Sequence, residues 1–133
     1  MGNNDLGKLI LRVVLGVLIL FHGVSKLIHG PGFVLQVLGQ AGLPSFLAYG
    51  VYVGEVLAPV LLIAGLWARI GALIIVVNML FALGLVHMSQ LAQLADTGGW
   101  ALELQGMYLG AALAVLFLGA GRFSVGGANG RFN

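Results

Sequence analysis

Four apolar runs, each about as long as a bilayer is thick, constrain this chain more than anything else in it: Leu6–Ile28, Pro44–Trp67, Ile70–Leu91 and Gly99–Ala120. A helix needs about 20 predominantly apolar residues to cross the hydrocarbon core. Lipid offers no partner for a bare peptide group, so each run is expected to be helical. Composition agrees. The 133 residues are 60% hydrophobic and only 8% charged, whereas water-soluble domains carry about a quarter charged residues. The expectation is an all-α integral membrane protein, one four-helix bundle spanning 1–133 with no linker long enough to divide it. The first run is followed by HGVSKLIHG rather than a small-x-small cleavage site, so it reads as a helix that stays.

Basic residues near the ends of the runs set the orientation. With four spans, the side shared by both termini holds Lys8, Arg12, Arg69, Arg122 and Arg131, and the other side holds Lys26 alone. That bias predicts an inner (plasma) membrane protein with both termini in the cytoplasm. The same residues are spread singly and net charge is only +2, which argues against a nucleic-acid partner. There is no cysteine. Disulfides, thiol chemistry and Cys-ligated metals are therefore excluded.

Between the first two runs, Gly30–Leu43 is too short to span. Phe33, Val34, Val37, Leu38 and Ala41 recur at helical spacing. They predict a short interfacial helix, either lying on the outer surface or covering the mouth of the bundle. Gly50 and Gly54, extended by Ala58, and Gly106 with Gly110 form small-residue faces. Such faces let helices approach closely, within one chain or between two copies. Pro59 is expected to kink the second run one turn after Glu55. Tyr49 and Tyr52 suit an outer aromatic belt, and Trp67 and Arg69 an inner one. The glycine-rich stretch after Ser124 is expected to be mobile.

Glu55 stands near the middle of its run, where an unpaired carboxylate is costly. At the helical rise, His22 lies about 7 Å outward of the centre of its run, Glu103 about 8 Å, His87 about 10 Å and Lys26 about 13 Å. Two acids, one fixed base and two switchable imidazoles thus occupy the outer half of the membrane and can neutralise one another if they face inward. Arg12, His22 and Lys26 fall within about 80° of arc on one helix face. For Arg12 and Lys26, facing inward competes with snorkelling from opposite helix ends. The cluster admits three readings: a proton relay, a site for a small polar head such as a quinone carbonyl or an organic acid, and a polar knot that only fixes helix register. No close ligand pair such as HxxxH is present, so no metal site is expected.

Four pieces of the chain carry a resemblance: LRVVLGVLILFHGVSKL at Leu11–Leu27, GEVLAPVLLIAGLWARIGAL at Gly54–Leu73, NMLFALGLVH at Asn78–His87, and GGWALELQGMYLGAALAVLFLGAGRFSV at Gly98–Val125. In that order they resemble the DoxX family of small four-helix membrane proteins. Arg12, His22, Gly23, Lys26, Glu55, Arg69, His87, Glu103, Tyr108 and Arg122 fall on the family's polar and glycine pattern. One departure stands out. The family's GPGRxSxD ending appears as GAGR at Gly119–Arg122, with Gly126 where the acid would stand. The resemblance implies quinone-linked redox chemistry, as in small subunits of thiosulfate:quinone oxidoreductases, or an accessory role in redox or oxidative-stress systems.

The expectation is therefore a DoxX-like component of a quinone-linked redox system. His22, Lys26, Glu55, His87, Glu103 and Tyr108 would line a quinone-head or proton-handling pocket opening outward, with Arg12, Arg69 and Arg122 at the cytoplasmic side. No covalently bound cofactor is expected. Quinone is the candidate cofactor, a redox protein the candidate partner, and self-association through the small-residue faces an option. Two rivals remain: a small proton-coupled transporter or exporter, and a structural or assembly subunit without chemistry.

Overall fold

The computed structural model describes residues 2–30, 32–85, 99, 103–127, 130, 132 and 133, with the backbone alone at 2, 33, 82, 85 and 103. Five helices and no strand occur among them. They are α1 (Gly2–His29), α2 (Gly32–Gln40), α3 (Leu47–Ala64), α4 (Ala68–Leu85) and α5 (Glu103–Leu118). The expected apolar runs thus appear as α1, α3, α4 and α5. Residues 86–98, including His87, lie outside the described residues. By length and apolarity α1 and α3 suffice to cross a membrane, and the described parts of α4 and α5 are shorter apolar helices.

Helix α3 is one apolar rod with a break in its ladder. Val53–Leu57 is a single π-turn, with the Ala58 amide donating to the Val53 carbonyl. Pro59 follows at once. It has no N–H to give the Glu55 carbonyl, and widening the preceding turn relieves the clash its ring would cause. The kink expected from Pro59 is thus expressed as this π-turn. The helix ends on Gly65 in the left-handed region (φ 72°), with Gly65 and Leu66 amides closing on the Leu61 carbonyl. The next two residues, Leu66 and Trp67, complete a hairpin so tight that Trp67 itself has φ 49°. Helices α3 and α4 are therefore antiparallel neighbours.

Helix α1 packs along α3 and α5, α3 along α4, and α4 along α5. Leu15, Ile19, Leu62, Ile75, Ala112 and Val115 meet in the core. Glycines set the closest approaches. A Cβ at Gly16 would meet Ile63 and the Pro59 carbonyl, and one at Gly23 would fall on the Glu55 carbonyl oxygen. Outside this core the large side chains point away from the protein: Phe21, Ile28, Met107 and Phe117 are each about two-thirds or more exposed. A water-soluble domain of this size does not display that much apolar surface, whereas lipid solvates it.

At the end of the fold that carries Arg12, the choice between facing inward and snorkelling is decided. Arg12 does not snorkel. It is fully buried, and its guanidinium donates to the carbonyls of Leu62 (2.6 Å), Ile63 (3.2 Å), Ala120 (3.2 Å) and Phe123 (2.5 Å). These lie at or beyond the C-terminal ends of α3 and α5, where unpaired carbonyls and the helix dipole favour a cation. Among the described residues after Ser124, Val125, Gly126 and Asn133 are anchored where a loose tail was expected. Val125 and Gly126 amides bond the carbonyls of Ala64 and Gly65, and Asn133 is buried. The Asn133 Oδ1 accepts from the Ala68 amide at 3.0 Å, capping α4 from a distance in sequence. Arg69 lies beside it and donates to the Leu116 and Phe117 carbonyls.

Candidate functional site

At the opposite half of the fold, α1 and α3 bring the two expected charges together. Lys26 Nζ donates to Glu55 Oε2, forming the one ion pair among the described residues. The depth estimate placed Lys26 well above Glu55. The contact at Gly23 explains why they meet. With Gly23 level with Glu55, Lys26 stands one turn higher, about 4.5 Å along the axis, within its own side-chain reach. The Glu55 side chain is 9% exposed and that of Lys26 28%. Neither could be left alone there: a buried charge without a partner costs several kcal/mol, by order of magnitude. Tyr52 adds a second tie, its hydroxyl donating to the Lys26 carbonyl at 3.2 Å.

A cavity of about 620 Å³ opens beside this pair. Its polar lining consists of His22, Lys26, Glu55, Asn78, Gln105 and Tyr108, and the rest is aliphatic or aromatic. His22 meets the Tyr108 ring edge-on, with centroids 5.9 Å apart and planes at 82°. Tyr108 is largely buried, whereas His22 is exposed. Four of the six expected site residues therefore converge: His22, Lys26, Glu55 and Tyr108. His87 lies outside the described residues and Glu103 is described by its backbone alone. Asn78 and Gln105 complete the polar set. Their signal in the sequence is an amide inside an otherwise apolar helix, which marks an inward-facing position.

Helix α2 covers the cavity. Val34, Val37 and Leu38 line it, and Leu38 is buried. Of the two roles open to this segment, covering the mouth fits these contacts. A mostly apolar cavity with a few convergent polar groups is the usual form of a small-molecule site. Lys26, Tyr108, Asn78 and Gln105 offer donors, while Glu55 and His22 offer groups able to take up a proton.

The DoxX family profile matches residues 7–88. The chain belongs to the DoxX family. CatD of Bacillus subtilis (strain 168), provisionally named an oxidoreductase, is 40% identical over 82 residues, 62% of this chain and 56% of CatD. The aligned stretch therefore covers little more than half of that relative. An uncharacterised protein of Haemophilus influenzae is 32% identical over 114 residues, 84% of this chain and 81% of its own length. No solved structure matches significantly. Of the cavity's polar residues, the matched stretch contains His22, Lys26, Glu55 and Asn78, whereas Gln105 and Tyr108 lie beyond it. Family and apolar helices together mark a membrane protein.

Proposed function

We propose that this DoxX protein is a four-span membrane component of a quinone-linked redox system, whose cavity receives a quinone head and handles its protons. The observation that carries the reading is the Lys26–Glu55 pair set in the wall of an apolar cavity beside His22 and Tyr108. The redox association draws support from the family and from the name given to CatD.

Reduction of a quinone to a quinol takes two electrons and two protons. Donors such as Lys26 Nζ and the Tyr108 hydroxyl suit the head's carbonyl oxygens, and His22 and Glu55 suit proton delivery. The electrons would come from a partner protein, since the chain has no cysteine to hold an iron–sulfur cluster and no CxxCH to attach a haem. Lys8, Arg12, Arg69 and Arg122 gather at the start of α1, the start of α4 and beyond α5. This clustering supports the inner-membrane orientation with both termini cytoplasmic. The Arg12 stitch at that end favours a dead-end pocket over a transport conduit.

Titration of a quinone analogue against the purified protein tests the reading. Wild type should bind, and Glu55→Gln and His22→Ala should each bind more weakly. No binding by wild type, or equal binding by all three, removes the proposal.

A further inference from the structure

Two glycines one turn apart on α3 have opposite surroundings. A Cβ at Gly54 would lie 2.8 Å from Asn78 Cβ on α4, whereas a Cβ at Gly50 would meet nothing within 4 Å. The two helices thus touch at Gly54–Asn78 and part above it. Packing agrees. The contacts of α3 on α4 come mainly from Val53–Leu57 and Ala58–Ala64, while the leading turns Leu47–Tyr52 lean on α2 and α1.

The gap left by this divergence belongs to the cavity. Gly50, Val51, Val77 and Phe81 line it, and Gly50, Val77 and Phe81 are exposed at the protein surface. Its rim is apolar, and its level is one to two turns from the Lys26–Glu55 pair. Meanwhile α2 covers the cavity from another direction through Val34, Val37 and Leu38. A ligand arriving from water would meet that cover. One dissolved in the bilayer would meet an apolar slot flanked by side chains that already face lipid.

We infer that the cleft between α3 and α4 at Gly50, Val77 and Phe81 is a lateral portal, through which a membrane-dissolved amphiphile inserts its head toward Lys26–Glu55 while its apolar tail stays in the cleft. This rests on the quinone reading and narrows it: the ligand is a tailed, lipid-resident molecule and not a water-soluble ring. Glycine at position 50 keeps the slot open. A larger side chain there has room to fit without displacing the backbone, so it fills the slot while leaving the fold in place.

The test uses two probes, a quinone carrying a decyl tail and the same ring carrying only a methyl group. Each is titrated in detergent against wild type, Gly50→Leu and Gly110→Leu. Gly110 likewise has nothing within 4 Å and lines no part of the cavity, so it controls for the added side chain. The portal predicts that Gly50→Leu weakens the decyl probe about tenfold or more relative to Gly110→Leu, because two or more methylenes lose their burial. It predicts that the methyl probe is affected less than threefold, by the same order-of-magnitude reasoning. Equal retention of both probes in Gly50→Leu overturns the portal and leaves the head site standing, and equal loss of both overturns it too. Failure of wild type to bind either probe removes the quinone reading itself. Gly50→Ala, a milder obstruction, replaces Gly50→Leu should the latter not elute as a folded protein.

Discussion

Replacing Arg12 with methionine keeps the length and apolar stem of the side chain and deletes every donor. Four carbonyls lose a charged partner. The Leu62 carbonyl retains the Gly65 amide at 3.2 Å, and Ile63 lies in the last turn of α3. Ala120 and Phe123 lie beyond α5 and have no helical bond to fall back on. An unsatisfied buried carbonyl costs about 1–3 kcal/mol. Two of them, partly relieved by water near the helix ends, give about 2–4 kcal/mol. For a chain of this size that is a fall in Tm on the order of 10 °C. Intrinsic tryptophan fluorescence during heating in detergent measures it. Limited proteolysis adds a local readout: cleavage within 120–133 should accelerate, because the guanidinium holds that segment against α3. Arg12→Lys should recover only part of the loss, since an ammonium cannot fork to carbonyls on two helices. A Tm within 2 °C of wild type by this scale, with unchanged cleavage, would refute the clamp.

Two further outcomes follow from the helix contacts. In a double-mutant cycle of Lys26→Met and Glu55→Leu, each single change should destabilise by about 1–3 kcal/mol and the pair by less than their sum, because each single leaves an unpaired charge; additive losses would mean the ion pair is not formed. Gly23→Ala should cost about 1–3 kcal/mol, since its methyl falls on the Glu55 carbonyl and α1 must move off α3. The same change at Gly110, which faces open space, should be neutral or slightly stabilising. Thermal melts of the two variants side by side check both, and equal Tm values would contradict the close contact.

The helices were legible because their signal is local. A run of apolar residues reports its solvent whatever it later touches. The inward face of α1 was legible for the same reason: Arg12, His22 and Lys26 share an arc fixed by the helical period. Register between helices was not. It depends on which glycine lets two backbones meet, and the Gly23–Glu55 contact brings Lys26 about one and a half turns closer to Glu55 than span centres imply. Arg12 illustrates a second gap. The partners of that side chain are backbone carbonyls, which every residue has, so nothing in the sequence marks them. The anchoring of the described residues after Ser124 is of the same kind. It arises from amides of Val125 and Gly126 and from one asparagine 65 residues from the helix it caps. Asn78 and Gln105 were visible as amides in apolar helices, but their convergence on the Lys26–Glu55 cavity required the packing of α4 and α5.

Where a bound head sits is the most direct question to put to this protein. A photoreactive azidoquinone, activated in proteoliposomes and followed by peptide mass spectrometry, would mark the side chains beside it. A head held at the Lys26–Glu55 pair should concentrate labelling on the α1 peptide around His22–Lys26 and the α3 peptide around Val51–Glu55, competed by unlabelled quinone and reduced in Glu55→Gln. Labelling spread evenly over the lipid-facing residues, or concentrated at the Arg12 end and indifferent to Glu55, would contradict it.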